Sequence, residues 1–379
     1  MLVRISSVHL YHVAMPLKEP WKTAFGEDQT VETVLAEVQD DNGLSAWAEA
    51  TPLGSPRYSS EWAGGAFAAL RDFFAPTVIG KDFASGSELQ DALGAFKGHQ
   101  FAKSLLDIAW YELASSQVGQ PLHKFLGGDD KHVEVGADFG VRASLDELVA
   151  KVGSAVDLGY RRVKLKARPG WDAAVVRLVR REFPDLVFHI DCNGGYTLGD
   201  LDLFKQLDDQ GLAMIEQPLA VDDLIDHAKL QAQLTTPVCL DESITSPARM
   251  RQAVEIGSCR YVNIKPGRVG GLTNAIRIHD ICAAAQIPAW VGGMQESSIG
   301  AAVCTALATL DNFVYPADIF PSDWFYSEDL AAPPVRFGRG DAGQPCAIPD
   351  TLGSPVRRPA PDLLERWAIR QALVGPGQV

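Results

Sequence analysis

The sequence predicts an α/β protein, a (β/α) barrel preceded by an α+β unit. Three observations predict it. From about residue 132 onward, short apolar runs alternate with stretches of helical periodicity. Five of those runs in succession close on a charged residue, and these follow one another at intervals of one βα unit. Before residue 125 the order is different, with strands first and helices afterwards.

In the first unit, apolar segments at 2–13, 31–38 and 44–47 read as strands. The last two are joined across Asp40-Asp41-Asn42-Gly43, where Asn-Gly supplies the positive φ of a tight hairpin. Helical patterns follow at 60–74 and 100–118. The barrel strands are predicted at 133–138, 162–166, 187–191, 212–216, 238–241, 261–265, 288–292 and 313–316. Helices between them include 145–158, 172–183, 224–234, 247–256, 272–285 and 297–310. A doubly wound open sheet shares this alternation, but no Gly-x-Gly-x-x-Gly follows an early strand. After residue 322 the chain is Pro-rich and carries one predicted helix, 361–373, expected to pack back on the first unit. The division expected is thus 1–125, 126–322 and 323–379.

Composition narrows the function classes. The 379 residues carry 34 Lys+Arg against 48 Asp+Glu, a formal net charge of −14, which disfavours nucleic acid as a partner because like charges repel. Six scattered cysteines without a Cys-x-x-Cys pair suit reduced thiols in a cytoplasmic protein. The first residues lack the pattern of a secretory signal, and no apolar run approaches the length of a membrane span. The expected partner is a small molecule, and a homo-oligomer is expected.

The chemistry sits at the strand ends. Lys166, Asp191, Glu216, Asp241 and Lys265 are 25, 25, 25 and 24 residues apart, the same C-terminal position on strands two to six. Three carboxylates on adjacent strands repel one another unless a cation sits between them. An all-oxygen set selects a hard ion, Mg²⁺ first and Mn²⁺ second. His189 lies two residues before Asp191 and faces the same way, as a core group or a support for the ligands. Strands two and six are half a barrel apart, so Lys166 and Lys265 should face each other across the mouth. Lys164 shares a strand face with Lys166, and two close ammonium groups near a divalent cation should depress each other's pKa toward that of a working base. A metal holding a substrate carboxylate acidifies the α-proton and stabilises an enediolate. Bases on both faces permit racemisation or epimerisation, and one base alone permits β-elimination. A non-catalytic barrel would have no use for this set.

These motifs resemble a known family. Lys164-Leu165-Lys166, Asp191-Cys192-Asn193, Glu216-Gln217-Pro218, Asp241-Glu242-Ser243, the run from Asn263 to Gly271 and the run from Gly292 to Ser297 together resemble the enolase superfamily, in its muconate lactonizing enzyme subgroup. Tyr160 to Lys166, Pro169-Gly170-Trp171-Asp172 and Tyr196-Thr197-Leu198 look most like its o-succinylbenzoate synthase/N-succinylamino acid racemase family. The resemblance implies a (β/α)7β modified TIM barrel with an α+β capping domain built from the N-terminal segment and the C-terminal tail. It implies Mg²⁺ on Asp191, Glu216 and Asp241, with Lys166 and Lys265 as the acid/base pair and Lys164 in support. Asn193 and Glu242 would stand behind the metal ligands. Cap residues, Phe25 within 21–26 and Tyr58 beside Arg57, would close over the substrate, and Gly293, Met294 and Glu296 would meet it at strand seven.

The chain departs from that family at strand one, which ends in Asp138, in the strand-eight segment from Pro316 to Trp324, where Asp318 stands alone, and at Cys192. Asp138 with Phe320 and Trp324 suits a cationic substrate group, and Asp318 is a further candidate contact to the substrate. The alternative readings are therefore a dipeptide or amino acid/betaine epimerase, or a cycloisomerase.

Overall fold

The computed structural model describes residues 2–23 and 26–376. Its N-terminal unit is an antiparallel sheet. Strands Val3–Thr23, Gly26–Asp40 and Ser45–Ala50 lie side by side in that order. The hairpin turns at Asn42-Gly43 as the sequence predicts. Gly43 has φ of +80°, and the Asp40 carboxylate accepts the backbone N–H groups of Asn42 and Leu44, both at 2.9 Å. Helices cover 63–78 and Gln100–Gln117, with a shorter one, Gly86–Leu93, that periodicity did not single out.

The predicted helix 361–373 is only half helix. It stops at Trp367, and Ala368–Val374 becomes a strand on the free edge of the first strand, with Val8 opposite Val374 and His12 opposite Arg370. An unpaired sheet edge offers a row of backbone partners, and that outcompetes helix propagation. The C-terminus therefore completes the capping sheet.

The barrel strands are Ala137–Phe139, Arg162–Lys166, Val187–Asp191, Ile215–Glu216, Val238–Leu240, Tyr261–Ile264 and Ala289–Val291, parallel and paired in that sequence. Two predicted strands differ. The run at 133–138 divides: Val133–Glu134 joins a small antiparallel sheet with Pro345–Ile348, and only Ala137–Phe139 forms a regular ladder with the second barrel strand. Gly136 is required there, because a Cβ would lie 2.1 Å from the Arg162 guanidinium. The eighth strand is irregular, bridging Ala289 at Phe313 and Val135 at Ala317 without a regular ladder. Pro316 lacks the N–H a ladder needs. Closure survives through single bonds, the Ala317 N–H to Glu134 O at 2.9 Å and the Asp318 N–H to Val291 O at 2.9 Å. The result is a modified TIM barrel with a capping domain. Among the described residues, no helix is long and apolar enough to cross a membrane.

Buried polar contacts fix cap to barrel. Glu49, on the third cap strand, accepts the backbone N–H groups of Ser297 (3.1 Å) and Gly300 (3.0 Å) and the Ser297 hydroxyl (2.6 Å). It thus caps the helix Ser298–Leu307 from another domain. Glu49→Ala leaves those buried donors unmet and should cost about 2–3 kcal/mol, read as a lower urea midpoint at unchanged slope.

Candidate active site

Strands two to six each end by delivering a charged side chain to the same rim. Asp191 and Glu216 close their strands, while Asp241 and Lys265 stand one residue beyond theirs. The turns behind them are strained. Asn193, Gln217 and Gln295 hold φ of +45°, +38° and +60°, conformations that non-glycine residues seldom adopt. Gln217 makes use of its position. Its side-chain oxygen accepts the N–H groups of Asp241 (3.0 Å) and Ser243 (3.1 Å), so one strand end braces the next.

Lys164, Lys166, Lys265, Asn193, Asp138, Tyr58, Gly293, Met294 and Asp318 all line one cavity of about 80 Å³, walled by Trp21, Phe320 and Phe325. Among the sequence candidates, Asp191, Glu216, Asp241 and Glu242 are buried and do not line this cavity, and two others remain. Phe25 lies outside the described residues. Glu296 does not line this cavity; its carboxylate turns back to accept the Met294 N–H at 2.8 Å. Burial pushes the Glu296 carboxyl up to about 7 from 4.5. An unfolded chain would release that proton first, so this residue lowers stability as pH rises from about 4.5 to 7. Glu296→Gln, which keeps the acceptor, should flatten that part of a stability–pH curve.

The three rim carboxylates are buried side by side. Asp191 meets Lys166 Nζ at 2.6 Å and the Asn193 N–H at 3.0 Å. Glu216 accepts Asn263 Nδ2 at 2.7 Å and lies 3.2 Å from His189 Nε2. The sterically bare Gly292 makes room for Asn263, since a Cβ there would fall 2.1 Å from its side-chain oxygen. Asp241 receives Lys265 Nζ at 2.9 Å and the Arg268 guanidinium. Glu242 takes a hydrogen bond from Asn193 Nδ2 at 3.0 Å. His189 is fully buried, held between Glu216 and the Tyr315 hydroxyl (2.9 Å); burial, with Arg162 and Lys164, drives its pKa well below 6.5.

Among the described residues, no three acidic, His or Cys side chains form a ready-made metal cage; the rim carboxylates turn toward ammonium, guanidinium and amide groups instead. The donor set nevertheless fits a hard divalent cation on charge grounds. Burial and the neighbouring Glu216 push the Asp191 carboxyl up. Burial, then Asp241 and Asp191, raise Glu242 to about 8, and its Oε2 is buried without a hydrogen-bond partner among the described residues. A cation placed among these oxygens would relieve that repulsion.

The lysines differ from the expectation of mutual depression. Burial lowers Lys166 most, and Lys164 lowers it too, but Asp191, Asp138 and Glu216 together outweigh them and the pKa is raised. Lys265 is likewise lowered by burial yet held well above 10.5 by Asp241 and by Tyr58. With carboxylates facing the ammonium groups, attraction exceeds the repulsion between lysines.

Two partners, Arg268 and Arg162, were not singled out from the sequence, and Tyr58, which was, meets one of them. Arg268, one helical turn after Lys265, bonds Asp241, the Asn263 carbonyl (2.6 Å) and the Tyr58 hydroxyl (3.3 Å). Tyr58 reaches in from the cap to Lys265 at 3.0 Å, and burial with Asp241 pushes its hydroxyl up to about 12. Arg162 is 1% exposed and pairs with Asp318 at 2.8 Å, its guanidinium over Trp290 and Tyr315. The signal for it was present: Arg162, Lys164 and Lys166 alternate on one strand face. Asp318 therefore differs from the expectation of an acid open to a substrate cation, because Arg162 and Lys164 already occupy it.

Fold and rim together define a class, the barrel enzymes of the enolase superfamily, and the chain belongs to it. Residues 5–127 match the family described as mandelate racemase / muconate lactonizing enzyme, N-terminal domain, and residues 147–351 match enolase C-terminal domain-like. Among its relatives, the o-succinylbenzoate synthase of Geobacillus kaustophilus is 44% identical over 340 residues, 90% of this chain and 91% of that one. The N-succinylamino acid racemase of Thermus thermophilus is 40% identical over 328 residues, 86% and 89% of the two chains. A solved enolase-superfamily structure from Listeria innocua superposes with a TM-score of 0.92 at 32% identity, covering 98% of this chain and 99% of that one.

Proposed function

We propose that the protein removes the proton α to a carboxylate of a small-molecule substrate, as an o-succinylbenzoate synthase, an N-succinylamino acid racemase, or both. The observation that carries the reading is the placement of Lys166 and Lys265. They stand on strands two and six, flanking the carboxylates of strands three to five, and both line the same cavity. Relatives named for both reactions, at 44% and 40% identity, support it.

Asp191, Glu216 and Asp241 would hold Mg²⁺, with Asn193 and Glu242 fixing their orientation. A bound Mg²⁺ would supply Lewis-acid polarisation of the substrate carboxylate, raising the acidity of the α-proton. Lys166 takes the proton from one face and Lys265 returns one from the other, or the reverse. Lys164, buried beside Lys166, meets the charge that gathers on the carboxylate as the proton leaves. Tyr58 and Trp21 from the cap close the mouth and exclude water. Here 1–125 with the return at 323–379 acts as the cap, and 126–322 as the catalytic barrel.

The test is α-proton exchange. With N-succinyl amino acids in D₂O and Mg²⁺, NMR should show loss of the α-proton signal of both enantiomers. Absence of exchange, together with no turnover of the hydroxycyclohexadiene precursor of o-succinylbenzoate, would overturn the reading.

A further inference from the structure

Asp138 is the acid that sets this chain apart at strand one, and its surroundings are specific. It is 6% exposed and lines the cavity. In the sheet it pairs in register with Lys164, and its Oδ2 lies 3.4 Å from that ammonium. Its Oδ1 is buried and has no hydrogen-bond partner among the described residues. A buried carboxylate oxygen without a donor is costly, so a donor is due at this position.

Charge decides what kind of donor. Asp138 and Asp318 face Lys164 and Arg162, two carboxylates against two cations. Lys164 also lies 3.9 Å from Asp191 and 4.0 Å from Glu216, but at 3.4 Å it is the cation next to Asp138, and it would repel a second one there. A neutral N–H donor fits where an ammonium does not.

Topology decides where the donor comes from. If Lys166 and Lys265 bracket the reacting carbon, its carboxylate points to the arc of strands three to five. The substituent on the same carbon then points to the opposite arc, strands seven, eight and one, which supplies Met294, Phe320 and Asp138. In an N-acylamino acid the first atom of that substituent is an amide nitrogen bearing one hydrogen.

We propose that Asp138 is a specificity-determining residue, whose Oδ1 accepts the amide N–H of an N-acylamino acid and so selects such substrates over those lacking an N–H. The assignment rests on the acid/base reading given above. It makes Asp138 a contact to the substrate and gives the molecule a preference for the racemase branch of its two reactions.

The test compares an N-succinyl-L-amino acid with its isosteric ester, the O-succinyl 2-hydroxy acid, each followed by α-proton exchange in D₂O with Mg²⁺. The wild-type protein should exchange the amide with about 30-fold higher kcat/KM, the scale of one hydrogen bond to a charged acceptor. Asp138→Ala should bring the two within about threefold, chiefly by slowing the amide. Asp138→Ser, whose hydroxyl still accepts, should fall between. A purely structural role would lower both rates and leave their ratio intact, and that result would overturn the proposal. So would equal rates in the wild-type protein, whether or not the variants fold. Exchange of neither compound would instead overturn the acid/base reading, and this assignment with it.

Discussion

Lys265→Ala should abolish racemisation, lowering kcat by at least about 10³-fold. Lys265 reaches the rim from strand six, where its Nζ sits between Asp241 at 2.9 Å and the Tyr58 hydroxyl at 3.0 Å, its ammonium over the Tyr58 ring at 4.8 Å. Among the described residues, no other lysine lines that side of the cavity, since Lys164 and Lys166 share strand two. The loss should be one-sided. With Lys166 intact, one enantiomer should still exchange its α-proton for deuterium while inversion disappears, and an elimination should keep part of its rate. Chiral chromatography and NMR on the same sample separate these outcomes. Asp241 keeps Arg268 as a partner, so the variant should retain its fold, which circular dichroism checks. Inversion at an undiminished rate would remove Lys265 from the acid/base pair.

Arg162→Met should destabilise the protein by about 3 kcal/mol, within the range for removing one partner of a buried ion pair. The side chain does three things inside the barrel. It pairs with Asp318 at 2.8 Å, donates to the Pro316 carbonyl at 2.5 Å, and lies over Trp290 and Tyr315. Burial alone would raise the Asp318 carboxyl, and Lys164 with Arg162 hold it far below its usual value. Without Arg162, the carboxylate keeps only Lys164, and the irregular eighth strand loses its tie at Pro316. Denaturant unfolding measures the cost. Adding Asp318→Asn to Arg162→Met should recover part of the loss, because the uncompensated charge goes with it. A double variant weaker than Arg162→Met alone would show that the cost lies in packing.

Much of this architecture is legible in the chain itself. The interval of 25 residues places Lys166, Asp191, Glu216 and Asp241 at equivalent strand ends, since each interval is one strand, one helix and two turns. Alternation on strand two places Lys164 with Lys166, and Asn42-Gly43 marks the first hairpin. The misread segments are those whose conformation depends on distant chain. Residues 368–374 have an apolar pattern that a helix also satisfies, and become a strand because the edge of Val3–Thr23 stands open beside them. Glu296 belongs to the strand-seven motif, yet a local hydrogen bond to Met294 turns it from the cavity.

The sequence by itself determined the barrel, the order of charges around its rim and the pairing of lysines on opposite strands, because periodicity and spacing are local properties that survive without coordinates. Only the tertiary structure decided the partners of those charges. Arg162 with Asp318, Arg268 with Asp241 and Tyr58 with Lys265 are separated by 156, 27 and 207 residues as numbered, and meet only when the barrel closes and the cap descends. The same closure leaves one oxygen of Asp138 without a donor among the described residues. Coulomb attraction and hydrogen-bond geometry act over a few ångströms of space, whatever the distance along the chain.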